Sequence, residues 1–121
     1  MAFATTEDLK SLLTTAVEGG IGYWLNEDEG DVQNIQIHRD AELNVIEIQC
    51  ETDVDGNGWI VQEITHTQIR KALNEMKDDQ KLPEHWRKRA SHFIFQGIDD
   101  HDADDADVIV QYAMFKQIVF G

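Results

Sequence analysis

The chain has 121 residues, of which 41 % are hydrophobic, and its formal net charge is −14. This length and apolar content predict one domain, residues 1–121, with a single core. The charge disfavours direct binding to duplex nucleic acid or to an anionic membrane, and it favours basic partners or cations. No apolar run approaches the roughly 18 residues of a membrane helix. The single cysteine, Cys50, cannot form an internal disulfide, so we expect a protein of the cytosol.

The acidic residues are concentrated toward the two ends of the chain. Residues 1–64 contain 14 acidic and two basic residues, a net charge of −12. Residues 65–97 have a net charge of +3, and residues 98–121 have a net charge of −5. This asymmetry predicts that a charge-driven contact would use residues 1–64.

An amphipathic helix is predicted near the start of the chain. Thr5, with Asp8 three residues later, resembles a capping box. Five apolar side chains then follow helical spacing: Leu9, Leu12, Leu13, Ala16 and Val17. The two glycines at positions 19 and 20 predict the end of this helix.

Four segments rich in β-branched and aromatic residues predict strands: residues 21–25, 32–38, 44–50 and 59–64. In the third segment, alternation places Ile46, Ile48 and Cys50 on one face. The turn at residues 53–58 contains two glycines, which permit the positive φ angles of a hairpin. The short connections predict an antiparallel meander.

The apolar spacing becomes helical after residue 64. We predict one helix capped by Thr65 and Gln68, a second from Pro83 to Gly97, and a third after the Asp-rich loop at residues 98–105. The third is expected to be the most buried. The predicted fold class is therefore α+β: an N-terminal helix, an antiparallel sheet of three or four strands, and three helices packed on one face.

The loop between the last two predicted strands resembles part of a calcium-binding loop. Asp53, Asp55 and Asn57, followed by Gly58, match the first ligand positions of an EF-hand. However, Ile64 stands where the bidentate Glu belongs, and the preceding segment is β-rich rather than helical. We therefore favour a polar hairpin turn with no cofactor, and calcium is the alternative.

Residues 99–107 contain six aspartates and a histidine, which is a second candidate for metal binding. Aspartates also cap helix N-termini and complement the helix dipole, and these residues directly precede a predicted helix. Capping is the favoured interpretation. No Ser-His-Asp arrangement, phosphate-binding loop or paired cysteines appear, so we do not predict an enzyme.

Two stretches are candidates for ligand binding. At residues 85–89, Arg87 and Arg89 would contact an anion; the alternative is a solvated basic face. At residues 19–24, a glycine-rich turn beside Tyr23 and Trp24 would stack a base. The alternative there is a helix end followed by two core aromatic side chains.

Three segments together resemble a family of small proteins from tailed bacteriophages. They are residues 18–24 (EGGIGYW), 102–115 (DADDADVIVQYAMF) and 118–121 (IVFG). The intervening Lys116-Gln117 departs from the family, where we expect Gly-Glu. The resemblance implies an accessory phage protein made in the cytoplasm of the bacterial host, and it implies no particular activity.

Small phage accessory proteins often counter host defence, so the leading hypothesis is a non-catalytic protein that inhibits a host factor by binding. In one mechanism, the acidic residues of 1–64 mimic nucleic acid and occupy a basic surface of a host protein. In the other, Tyr23 and Trp24 stack a nucleotide signal while Arg87 or Arg89 holds its phosphates. The alternative is a structural or assembly component of the phage without a ligand. Self-association into a homo-oligomer is left open.

Overall fold

An N-terminal helix, a three-stranded sheet and three further helices make up the fold. A computed structural model describes residues 4–42 and 44–121. The order of the elements confirms the predicted α+β class. Within that part of the chain, no helix combines the length and the apolar character needed to cross a membrane.

Helix α1 spans Thr6–Thr15 and continues as one π-helical turn, Ala16–Gly20. The capping box predicted at Thr5 is confirmed, because its hydroxyl accepts the Asp8 N–H and the Asp8 carboxylate accepts the Thr5 N–H. A Cβ at position 20 would lie 2.7 Å from the carbonyl oxygen of Ala103. Glycine at this position therefore lets the turn pack directly against the start of the last helix.

The sheet contains three antiparallel strands in the order β1-β2-β3. They span Val32–Arg39 (β1), Val45–Thr52 (β2) and Ile60–Thr65 (β3). Ile37, Ile48 and Ile64 lie side by side across the strands. These side chains mark the face of the sheet that is turned toward the core.

The strand predicted at residues 21–25 is wrong, because this segment is a tight turn. The backbone N–H groups of Trp24 and Leu25 both donate to the carbonyl of Ile21, at 3.1 and 2.7 Å. All three of these side chains are buried. Their apolar character reflects burial on one side of a turn rather than β pairing, so this segment adds no fourth strand to the three that the described residues form.

The alternation predicted for β2 is interrupted by a bulge. His38 pairs with Glu47 and Arg39 pairs with Val45, so Ile46 is an extra residue. Because a bulge shifts the alternation by one position, Val45 is fully buried and Ile46 is only half-buried. The predicted placement of Ile48 and Cys50 in the core is confirmed.

The remaining helices are α2 (His66–Met76), α3 (Glu84–Gln96) and α4 (Ala103–Phe115). The predicted capping box of Thr65 and Gln68 is confirmed. Helix α4 is buried on nearly all sides from Asp105 to Met114, as predicted. Helices α1, α2 and α4 contact the sheet, whose opposite face carries the polar side chains of β2.

Candidate functional site

Tyr23 and Trp24, two of the predicted ligand-binding residues, lie against helix α4. Trp24 is fully buried, and its ring stacks on Phe120 with the ring centroids 5.1 Å apart. Tyr23 is 49 % exposed. In this structure no face of Trp24 is accessible to a nucleotide base, so its place is the core, which is the alternative that the sequence left open.

Asp107 holds both aromatic side chains through a buried carboxylate. It accepts hydrogen bonds from the Tyr23 hydroxyl and from the Trp24 indole N–H, each at 2.7 Å. A third donor is the Gln111 amide, at 2.9 Å. Burial, together with the hydrogen bond to Asp107, raises the pKa of Tyr23 to about 12. The Tyr23 hydroxyl is therefore a firmly protonated donor at neutral pH.

Gln111 extends this network to the segment that follows α4. Its side chain is fully buried. The amide oxygen accepts the N–H groups of Val119 and Phe120 at 2.8 Å, and the amide nitrogen donates to the Phe120 carbonyl at 3.0 Å. The turn that contains Tyr23 and Trp24, helix α4 and the segment that follows it thus meet in one hydrogen-bonded cluster around Trp24.

The sequence pattern grouped Asp107 with the Asp-rich stretch at residues 99–107 and gave no role to Gln111. A usable signal was present, because both are polar residues four positions apart within a largely apolar helix. This spacing places them on the same helix face. Two polar side chains facing a core are expected to satisfy each other or a buried donor, and here they do both.

Arg89, a predicted anion contact, is instead bound to aspartates of its own chain. Its guanidinium lies 2.9 Å from the Asp105 carboxylate and 3.0 Å from the Asp100 carboxylate. Its Cζ lies 4.5 Å from the centre of the Phe93 ring. The hydrogen bond from Arg89 holds the pKa of Asp100 below its usual range. The charge of Arg89 therefore stabilises the loop before α4.

Arg87, the other predicted anion contact, lies apart from this cluster. Its guanidinium donates to the Leu82 carbonyl and to the Gln80 side chain, both at 3.2 Å. The four predicted ligand-binding residues therefore do not form one site. Tyr23 and Arg89 line a common cleft, whereas Trp24 and Arg87 do not.

The cleft beside Tyr23 has a volume of about 790 Å³ and combines aromatic with acidic side chains. Trp86 and Phe120 contribute further aromatic surface. Four aspartates line it as well: Asp102, Asp104, Asp105 and Asp107. Because these carboxylates outnumber the single arginine, the electrostatics of the cleft oppose a phosphate group.

The Asp-rich loop before α4 caps the helix, which confirms the favoured interpretation. The Asp102 carboxylate accepts the Asp105 N–H at 2.8 Å, and the Asp105 carboxylate accepts the Asp102 N–H at 3.0 Å. The backbone N–H of Asp105 is the main reason why the pKa of Asp102 is lowered. These carboxylates are therefore engaged in holding the helix end.

The loop at residues 53–58 is a polar turn. Asp53 accepts the Gly58 N–H at 3.1 Å, and two glycines adopt positive φ angles, 73° at Gly56 and 120° at Gly58. Among the residues that the structure describes, no group of three or more His, Cys, Asp or Glu side chains is arranged to hold a metal ion. Calcium at Asp53, Asp55 and Asn57 stays an untested alternative.

A second acidic region comprises residues of strands β2 and β3 and of the segments that lead into β1 and β3, and we call it the acidic sheet surface. It comprises nine residues: Glu27, Asp28, Glu29, Asp31, Glu47, Glu51, Asp53, Asp55 and Glu63. The last three of these and Glu51 lie around β3 and the turn before it. The backbone N–H of Asp53 donates to the Asp31 carbonyl at 2.9 Å. The turn before β3 therefore lies next to the segment that leads into β1.

No lysine or arginine of the described chain forms an ion pair with the acidic sheet surface. The two basic residues of this half of the chain pair elsewhere, Lys10 with Glu7 at 3.6 Å and Arg39 with Glu18 at 3.9 Å. The nine carboxylates are exposed or half-buried. They leave a concentrated negative charge facing solvent.

Comparisons with known proteins give no relative: no family model, no curated protein and no solved structure matches this chain.

Proposed function

We propose that this is a non-catalytic bacteriophage accessory protein that inhibits a host protein in the bacterial cytoplasm by occupying its basic, nucleic-acid-binding surface. In this role it acts as an acidic decoy, and its biological use is to counter host defence. The observation that supports the proposal is the acidic sheet surface, whose nine carboxylates have no internal cation among the described residues.

Carboxylates that are not paired with an internal cation keep their negative charge available to an approaching cation. A surface of one sign attracts a complementary partner and accelerates its association. The binding should weaken steeply with added salt, because both surfaces release counterions on contact.

The rival mechanism, in which the protein sequesters a nucleotide, has less support. Trp24 is buried, and Arg89 is bound to Asp100 and Asp105. The cleft that Tyr23 and Arg89 share is lined by four aspartates. A nucleotide phosphate would therefore meet more negative than positive charge in that cleft.

The test is displacement of duplex DNA from a bacterial DNA-binding protein. Lysate proteins retained on the immobilised chain at low salt are eluted with duplex DNA, identified and purified. We expect the full chain to release at least one of them from labelled DNA, and we expect this competition to disappear as salt is raised. If no retained protein is released by DNA, or if the competition does not depend on salt, the proposal is wrong.

A matched pair of variants separates the acidic sheet surface from net charge alone. Glu47→Gln, Glu51→Gln and Glu63→Gln together remove three charges from this surface. Glu7→Gln, Asp78→Asn and Glu84→Gln remove three exposed charges that pair with Lys10, Lys77 and Lys88 elsewhere. We expect only the first variant to lose the ability to displace DNA. An equal loss in both variants would mean that net charge, and not the acidic sheet surface, is responsible.

A further inference from the structure

Three consecutive exposed apolar side chains lie at the start of strand β3, one of them directly before it, next to the turn at residues 53–58. Trp59 is 43 % exposed, Ile60 is 59 % exposed and Val61 is 66 % exposed. Ile60 pairs with Thr52, the residue that precedes Asp53. Ile60 and Val61 are successive strand residues and face opposite sides of the sheet, so this edge exposes apolar side chains on both faces. Exposed apolar side chains beside charged ones are typical of an interaction site.

The backbone of β3 forms one outer edge of the sheet. Within the described residues, the backbone groups on its outer side have no strand to pair with. The pairing of β3 with β2 runs without a bulge through six residue pairs, from Glu47–Thr65 to Thr52–Ile60. β3 contains no lysine, arginine or proline, which are residues that natural proteins use to block an edge.

The opposite edge strand, β1, is blocked in several ways. Its register with β2 shifts between Gln33 and Gln36, and Asn34 within this bulge has a φ of 55°. The Asn34 side chain donates a hydrogen bond to Glu51 on β2. A bulged, twisted edge is a poor template for a further strand. Of the two edge strands, β3 is therefore the one that can pair with an added strand.

The surroundings of β3 specify the side chains that an added strand would need. Val61 and Glu63 lie on the outer face of the sheet, where Glu51 is the cross-strand neighbour of Val61. Ile60 lies on the other face and lines a groove of about 300 Å³ that also includes Phe115. Successive residues of a strand face opposite sides. A strand added here would therefore place basic residues over the outer face and apolar residues beside the groove.

We propose that β3 accepts, as a fourth strand, an extended segment of the basic partner in which basic and apolar residues alternate. Main-chain hydrogen bonds to the open edge provide affinity, and the alternating side chains provide selectivity. This inference rests on the proposed function, since it states how the basic partner is held. A second copy of the chain fits the edge less well, because it would bring another net charge of −14 to the contact.

The test uses the full, isotope-labelled chain and a blocked peptide of about seven residues that alternates arginine and valine, a typical strand length. Amide hydrogen exchange is followed by NMR with and without saturating peptide. We expect alternate amides of Ile60–Thr65 to exchange at least about tenfold more slowly with the peptide. The amides of Val32–Arg39 should not change.

Two N-methylated peptides test the main-chain pairing directly. One carries N-methyl groups on all valines and the other on all arginines, so charge and composition are nearly the same. A strand pairs along one edge through the N–H groups of alternate residues. We therefore expect one of these peptides to lose at least about tenfold in affinity and the other to keep most of it.

A matched pair of protein variants tests the location. Val61→Lys places a positive charge on the outer face of β3, and Gln36→Lys places the same charge on the outer face of β1. We expect at least about a tenfold loss of peptide affinity for the first variant and less than about threefold for the second. Urea unfolding of both variants checks that each is folded.

Three results would overturn the inference. Peptide binding without protection of the β3 amides would mean that charge alone attracts the peptide. A peptide that does not bind even at high concentration would mean that the edge does not accept a strand. Protected β3 amides without peptide, together with a dimeric mass, would make a second copy the occupant. The displacement of DNA tests the acidic sheet surface without any of these readouts, so the two proposals can fail separately.

Discussion

The molecule contains two acidic regions whose carboxylates have opposite uses. Around α4, Asp102 and Asp105 cap the helix, Arg89 binds Asp100 and Asp105, and Asp107 accepts three side-chain hydrogen bonds. The nine carboxylates of the acidic sheet surface have no such cation within the described residues. The comparison shows that density of acidic residues in the sequence does not by itself identify an interaction surface. What matters is whether internal donors already satisfy the charge.

The largest effect is expected at Asp107, the most fully engaged of the carboxylates. Asp107→Ala leaves the buried Trp24 N–H and the Gln111 amide without their acceptor and frees the Tyr23 hydroxyl. Each buried donor left unsatisfied costs about 1–3 kcal/mol, so we expect a loss of about 3–5 kcal/mol in the free energy of unfolding. Urea unfolding followed by tryptophan fluorescence measures this loss.

Asp104→Ala is the matched control, because Asp104 is an exposed aspartate in the first turn of the same helix. Only its favourable interaction with the helix dipole is removed, for which we expect less than about 1 kcal/mol. Asp107→Asn should fall between the two, since an amide oxygen still accepts one donor. Equal stability of Asp107→Ala and Asp104→Ala would contradict the structural role given to Asp107.

The next largest effect is expected at Arg89, whose guanidinium compensates the buried carboxylate of Asp105. Asp105 has a side-chain exposure of 6 %, and that of Arg89 is 24 %. Breaking a fully buried ion pair costs about 3–5 kcal/mol, so for this partly exposed pair we expect a loss of about 2–3 kcal/mol from Arg89→Ala. Thermal or urea unfolding provides the measurement.

Arg87→Ala provides the comparison for this prediction, because Arg87 is in the same helix and donates its hydrogen bonds to two neutral groups, the Leu82 carbonyl and the Gln80 side chain. Arg87→Ala should lower the free energy of unfolding by about 1 kcal/mol. If the two variants were equally stable, Arg89 would be a surface charge available for a ligand, as the sequence first suggested.

Much of the fold followed from periodicity and capping, which are local properties. The capping boxes at Thr5 and Thr65 and the burial of α4 were predicted in this way and are confirmed. The strand predicted at residues 21–25 was wrong because an apolar, aromatic pentapeptide fits a buried turn as well as a strand. The turn is held against the core by the long-range contact of Trp24 with Asp107, 83 positions later, which no local pattern reveals.

The candidate site was harder to predict for the same reason. Tyr23 and Arg89 were singled out by residue type, and the structure places both at one cleft. Their engagement depends on partners at Asp107 and Asp105, which no local pattern connects to them. The bulge at Asn34 and the open edge of β3 likewise become visible only when strand register is known.

A pH effect is expected at Tyr23, whose hydroxyl donates a hydrogen bond to Asp107 of α4. Its pKa of about 12 in the folded chain lies above the ordinary value of 10.0. The folded state therefore holds the proton more tightly than the unfolded state, and the resulting stability is present below pH 10 and is lost as pH rises toward about 12.

Tyr23→Phe removes this hydrogen bond and should reduce stability by about 1 kcal/mol at neutral pH. The difference from the natural chain should shrink as pH rises above 10, the range in which the folded and unfolded pKa values differ. Urea unfolding at a series of alkaline pH values checks this, with phenolate absorbance to follow the titration. A difference that stays constant through this range would show that the hydroxyl is not coupled to folding.

The smallest effect on stability is expected where the number of charges removed is greatest. Glu47→Gln, Glu51→Gln and Glu63→Gln together should change the free energy of unfolding by no more than about 0.5 kcal/mol, as is usual for surface substitutions. The direction should be toward greater stability at low salt, because like charges on adjacent strands repel.

Urea unfolding at low and high salt measures the size and the sign of this change in the free energy of unfolding. A loss as large as that of Asp107→Ala would mean that these carboxylates hold the sheet together, and they would then not be available to a basic partner. If the three charges do not affect the free energy of unfolding and yet are required for the displacement of DNA, their role is recognition of a partner and not stability of the fold.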